Sequence, residues 1–173
     1  VKLDVAGAGR FSDGLVVGAI STPNQGGISL DSGDLVLGPA VSIVLDDQPL
    51  DNTASGSGTI VNWSVSSATT AGQVYSVKAD GGWASVTSSN SVATLMLGYS
   101  LGTNANQGIL LQGFLYKSGH GFTIGDPLYI SGTQGVLTNT APTTTGHFVR
   151  IVGYATSTDY IYFDPDKTWI ELT

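Results

Sequence analysis

Residues 121–131, Gly121-Phe122-Thr123-Ile124-Gly125-Asp126-Pro127-Leu128-Tyr129-Ile130-Ser131, followed by Gly135-Val136-Leu137-Thr138, decide the fold class. Gly125-Asp126-Pro127 reads as a turn. Proline fixes φ and lacks an N–H, so it is tolerated as the first residue of a strand. A strand is therefore expected over 127–131. Gly135 supplies the φ > 0 of a hairpin turn, and 135–138 returns as a second strand. The same punctuation by Gly, Asp, Asn and Ser recurs outward in both directions. It predicts strands over 59–65, 73–78, 83–86, 92–99, 108–116, 147–155, 159–163 and 168–172. Gly153, inside one of these runs, marks a bulge or a close backbone approach. Asp164-Pro165-Asp166 closes a further turn. No helix is demanded anywhere.

Composition agrees. The chain has 12 Asp but a single glutamate, Glu171, and one methionine, Met96. Straight side chains such as Glu, Lys, Gln, Arg and Met favour helix surfaces because they lose little freedom there. Here they are scarce, while Val, Ile, Thr, Tyr and Trp, which suit a pleated surface, are common. At 173 residues the chain is long enough to bury about two-thirds of its unfolded surface. One domain with an extended appendage fits that length.

Two strands are apolar on both faces. In 108–116, Ile109, Leu111 and Leu115 alternate with Leu110, Phe114 and Tyr116. In 159–163, Tyr160 and Tyr162 oppose Ile161 and Phe163. A strand apolar on both faces is covered on both. In so small a domain the second cover is expected from another subunit. Only 11% of residues are charged, which also points to apolar surface hidden in an oligomer.

Net charge is −7, and the six Lys and Arg are spread along the chain. Phosphate-backbone binding needs clustered positive charge, so a nucleic-acid partner is excluded, as are anionic membranes. No apolar run approaches the ~20 residues of a membrane span, so no membrane insertion is expected. There is no cysteine, which removes disulfides and Cys-based metal sites. No signal peptide is visible, and Val1 in place of Met suggests an excised or processed fragment.

Residues 1–48 differ from the rest. Leu3-Asp4-Val5-Ala6-Gly7 through Gly14-Leu15-Val16-Val17-Gly18, and Gly27-Ile28-Ser29-Leu30-Asp31 through Gly33-Asp34-Leu35-Val36-Leu37-Gly38, are two similar phrases of short alternating runs around a turn. Such strands need stacking on neighbours or on other chains. The segment 1–48 is expected to be shaft-like or attaching, 49–58 a polar linker, and 59–173 a globular β domain.

The 121–131 stretch continues through Thr140-Ala141-Pro142, Val149-Arg150-Ile151-Val152-Gly153-Tyr154-Ala155 and Tyr160-Ile161-Tyr162-Phe163-Asp164-Pro165-Asp166. This resembles a small β module near the C-termini of bacteriophage virion proteins, among them tail fibres, head fibres and decoration proteins. The likeness covers roughly residues 108–173. The phrase beginning at Leu3 is similar to the repetitive shafts of phage tail fibres, over roughly residues 1–45. The resemblance implies a non-enzymatic structural protein on the exterior of the virion, working as a homotrimer. It would contact other virion proteins and a host surface glycan. A tail-fibre segment for host attachment is the first expectation, and a capsid decoration or head-fibre protein the alternative.

Little in the sequence suggests chemistry. His120 and His147 sit in Gly/Thr-rich turns, with no Cys or second His at ligand spacing. Nucleophilic catalysis needs a His beside an activated Ser or Cys, and neither context signals one. Glycan cleavage needs a carboxyl pair. The candidates Asp46, Asp47, Asp80, Asp126, Asp159, Asp164 and Asp166 all lie where Asp caps turns. Asp164 and Asp166 lack a calcium-loop pattern. The expectation is no enzyme, no cofactor and no metal. Arg150, inside an apolar run, is expected at an edge or snorkelling, or paired with a carboxylate if its strand is core. Trp63, Trp83, Trp169, Tyr75, Tyr99 and Tyr116 are the aromatics that a sugar could stack on. Trp83, Tyr99 and Trp63 are the selected glycan candidates, Trp83 because Asp80-Gly81-Gly82 is the most loop-like setting. The fold expected is all-β: shaft-like short strands, then an antiparallel sandwich or small barrel, trimeric.

Overall fold

The computed structural model describes residues 45, 47–49, 54–62 and 67–173. The shaft-like segment therefore lies outside the described residues, apart from 45, 47 and 48, as do Trp63 and residues 50–53. The chain is all-β. Its strands are β1 (Gly56–Val61), β2 (Val74–Val77), β3 (Trp83–Ser85), β4 (Leu97–Ser100), β5 (Ile109–Tyr116), β6 (Pro127–Ile130), β7 (Leu137–Thr138), β8 (Phe148–Val149), β9 (Ile151–Ala155), β10 (Tyr160–Phe163) and β11 (Ile170–Glu171). Strand β1 starts at Gly56, so Gly56–Gly58 belong to the sheet and not to the polar stretch before it.

β5 organises the molecule. β1 pairs with it antiparallel from Ile109 to Leu115, along one edge. The other edge is shared. β4 takes the N-terminal part (Tyr99↔Leu110, Ser100↔Ile109) and β10 takes the C-terminal part (Phe163↔Gly113 to Tyr160↔Tyr116). The sheet therefore forks at Leu111 and Gln112. One branch runs β5-β4-β2-β3, and the other β5-β10-β9-β6-β7. The branches curl into an antiparallel half-barrel. They meet again through main-chain bonds: Val74 N–H to the Gly135 carbonyl (2.9 Å), Gly135 N–H to Val86 (2.8 Å) and Ser88 N–H to Ser131 (2.9 Å). β8 and β11 form a separate two-stranded ladder.

The main core lies between the branches. It joins Val74, Leu97, Tyr99 and Leu110 of one branch to Leu115, Leu128, Val152, Ile161 and Phe163 of the other. A second cluster, Tyr75, Trp83, Ala105 and Ile109, covers the opposite face of the first branch. So the N-terminal half of β5 is covered on both faces within one chain. Its C-terminal half leaves Phe114 and Tyr116 half-buried, set against Tyr162 (ring centroids 5.0 Å apart) and Tyr160 (5.5 Å).

The strict alternation expected along β5 is corrected by a bulge. Thr59 pairs with Gln112 but Ile60 pairs with Leu110, leaving Leu111 as the extra residue. One inserted residue moves the following side chains to the other face. Leu110 and Leu115 consequently share the main core, instead of facing opposite ways. In β10 the alternation holds: Ile161 and Phe163 are buried, while Tyr160 and Tyr162 are half-buried.

Glycine has a positional role at the sheet's centre. Gly58, Gly113, Phe163, Gly153 and Leu128 form one cross-strand row. A Cβ on Gly113, whose φ is +139°, would overlap the Ser57 carbonyl oxygen. One on Gly153 would overlap that of Tyr162. The two backbones flanking Phe163 thus lie too close for side chains, and the fully buried ring fills the space.

Three further expectations change. The strand expected over 92–99 begins as a 3₁₀ turn, Ser91–Thr94, because the Asn90 side chain accepts the Val92 N–H. A second 3₁₀ turn, Ala105–Gln107, is started by an Asn104–Gln107 capping box. The strand expected over 147–155 breaks at Arg150, whose guanidinium bonds to three main-chain carbonyls.

Candidate functional site

The fork leaves a groove of about 890 Å³. Leu111 and Gln112 of β5 form its floor. Thr94, Leu95, Met96 and Leu97, leading into β4, form one wall. Ile151 and Tyr154 of β9, the loop Asp164–Lys167 after β10, and Trp169 form the other. β4 starts and β10 ends at the height of Gln112, so the separation of the two branches shapes the opening.

Arg150 ties the walls together. Its Nη1 donates to the carbonyls of Ala93 (2.9 Å) and Leu95 (2.6 Å) on one wall. Its Nε donates to the carbonyl of Asp166 (2.6 Å) on the other. It is only 7% exposed. Burial lowers its pKa, and the Asp166 charge opposes that. The guanidinium is thus satisfied by three carbonyls, neither snorkelling at an edge nor held by a carboxylate hydrogen bond. The residue turns inward to make these bonds, which interrupts the strand between β8 and β9.

The carboxylates have distinct duties. Asp80, Asp126, Asp159 and Asp166 each accept a main-chain N–H, from Gly82, Thr123, Gly119 and Thr168 respectively. The largest effect on Asp126 is the Asn139 amide, and on Asp80 the Lys78 ammonium. For Asp159 and Asp166 it is the N–H of Gly119 and of Thr168. All four are held below the usual carboxylate range. Asp164 is different. One oxygen accepts the Gln112 side-chain amide (3.3 Å), which also reaches the Tyr162 hydroxyl (3.3 Å). Its other oxygen has no hydrogen-bond partner among the described residues, and the same is true of the Lys167 ammonium and the Tyr154 hydroxyl. Among the described residues no group of three or more His, Asp or Glu is placed to hold a metal ion.

The selected glycan candidates are not at this groove. Trp83 is 4% exposed, in the second cluster, and Tyr99 is 1% exposed, in the main core. Neither ring offers a face to a ligand. Trp63 lies outside the described residues. Among the described aromatic residues only Trp169 (46%) and Tyr154 (44%) are exposed, and both line the groove. Trp169 belonged to the wider set of possible stacking residues. Tyr154 did not, and only its outward parity opposite Tyr162 marks it.

The histidines are structural in their contacts. His147 Nδ1 lies 3.1 Å from Ser88 Oγ, but Ser88 is fully buried and its backbone joins the two branches. No acid among the described residues orients His147 from behind, as a triad requires. His120 Nδ1 accepts the Phe122 N–H (3.0 Å) and its ring stacks on Phe122 at 4.9 Å. No helix among the described residues is long and apolar enough to cross a membrane. Comparison with protein-family models, with curated proteins and with solved structures gave no match.

Proposed function

We propose that this chain is a non-enzymatic structural protein on the exterior of a bacteriophage particle, a tail-fibre segment that attaches the particle to its host. The observation that carries the attachment reading is the convergence on one groove of the two aromatic residues that are exposed among the described residues. Concentrated exposed apolar surface rimmed by polar groups marks an interaction site. The absence of a catalytic reading rests on the duties of the polar groups: one oxygen of Asp166 caps Thr168, Arg150 is bonded to main-chain carbonyls, and Ser88 is buried. The likeness of residues 108–173 to phage virion modules, and of 1–45 to fibre shafts, supplies the setting.

The protein acts as a homotrimer in this account. The half-buried face of Phe114, Tyr116, Tyr160 and Tyr162 supports subunit packing, since its rings gain by further cover. The alternative, a capsid decoration or head-fibre protein, draws on the same module likeness. Adsorption competition separates the two. Purified chain, incubated first with host cells, is expected to reduce adsorption of the particle. No competition, together with saturable binding to purified capsid shells, would replace attachment by decoration.

A further inference from the structure

We propose that the groove at the fork of β5 binds an uncharged oligosaccharide, whose sugar rings stack on Trp169 and Tyr154 and whose hydroxyls bond to Asp164 and Lys167. The proposal rests on the attachment reading only for the source of the glycan, the host surface.

The chemistry of the lining argues for this ligand class. A pyranose has an apolar C–H face and a rim of hydroxyls that both donate and accept. It therefore needs aromatic faces with acceptors and donors beside them. Trp169 and Tyr154 offer rings in the only two exposed aromatic positions among the described residues. Asp164 offers an unpartnered carboxylate oxygen, held in place because Gln112 binds its other oxygen. Lys167 offers an ammonium. The groove volume, about 890 Å³, falls among ligand sites of roughly 300–1,000 Å³.

Charge selects the uncharged class. The lining holds two carboxylates, Asp164 and Asp166, and two cations, Arg150 and Lys167. Arg150 is engaged by main-chain carbonyls and Asp166 spends one carboxylate oxygen on Thr168, so the groove offers an oxygen of each carboxylate and the single Lys167 ammonium. An anionic polymer would meet Asp164 and Asp166, and a cationic one Lys167. An uncharged polyol donates to the carboxylates and accepts from the ammonium.

Arg150 deepens the assignment. It fixes the distance between the Leu95 wall and the Asp166 wall, so the stacking residues stand on a braced frame. A braced site loses less entropy on binding.

The test uses the full chain. It is titrated by calorimetry against neutral hexose and N-acetylhexosamine oligomers, and against uronate-bearing and phosphate-bearing ones. Binding of a neutral oligomer is expected. Trp169→Ala and Asp164→Asn should each weaken it by at least about tenfold, with the melting temperature unchanged, and Trp169→Phe should retain most of it. Binding that survives Trp169→Ala combined with Tyr154→Ala, or that is confined to acidic oligomers, would overturn the proposal. So would a change in oligomeric mass in Trp169→Ala, which would make the groove a subunit contact. If no glycan binds while the chain still adsorbs to host cells, the proposal falls and attachment stands. If a neutral oligomer binds in the groove while the chain adsorbs to nothing on the host, attachment falls and the ligand class stands.

Discussion

Arg150 shows how much one side chain decides. The sequence places it in the apolar run His147-Phe148-Val149-Arg150-Ile151-Val152, where a strand should pass through it. It instead splits that run into β8 and β9 and delivers its guanidinium to three carbonyls. Hydrogen bonds to charged groups contribute roughly 1.5–3 kcal/mol each, and a buried carbonyl left unpaired costs about 1–3 kcal/mol. Arg150→Met is therefore expected to destabilise the chain by about 2–4 kcal/mol, read from denaturant unfolding. A loss below about 0.5 kcal/mol, the scale of an ordinary surface substitution, would show that the clamp is incidental. The carbonyl partners come from residues 93, 95 and 166, far from Arg150 in sequence, so no local pattern announces them. Trp83 is the converse case. Asp80-Gly81-Gly82 reads as an exposed loop, yet the tryptophan after it starts β3 and tucks into the second cluster.

At the scale of elements, turn chemistry was legible and register was not. Gly125-Asp126-Pro127 does start a strand at Pro127, and Gly135 does take φ +71° before β7. The alternation of β10 also reads correctly from Tyr160 to Phe163. The bulge in β5 escapes notice because nothing in Ile109-Leu110-Leu111 distinguishes the inserted residue. Only the partner strand β1 reveals it. Trp169 escapes for a related reason: it lies just before a two-residue edge strand, β11, whose side chains are exposed, and not in a buried one. The crowding around Gly113 gives a direct test. Gly113→Ala combines a φ of +139° with overlap on the Ser57 carbonyl. It is expected to cost more than about 2 kcal/mol, seen as a lower denaturation midpoint. A near-neutral result would mean that β1 can move away from β5 without loss.

The whole molecule answers to pH and to association. Asp80, Asp126, Asp159 and Asp166 all have folded pKa values depressed below the ordinary 3.8. A depressed carboxyl contributes stability above its unfolded pKa and loses it as pH falls through the folded value. The melting temperature should hold from neutral pH down to about 4 and then decline, most steeply below 3.8. A melting temperature that rises on acidification through this range would contradict the carboxylate assignments. For association, light scattering at micromolar concentration should give three times the 17.7 kDa of the chain. A monomeric mass would remove the homotrimer.

Attachment to a host is the central claim, and the position of the chain on the particle tests it most directly. An antibody to residues 59–173, applied to intact phage and viewed by negative-stain microscopy, locates that position. Label along the fibres or at the tail tip is the predicted result. Label distributed over the head, or particles that carry none, would contradict attachment, and the former would make the protein a component of the capsid surface.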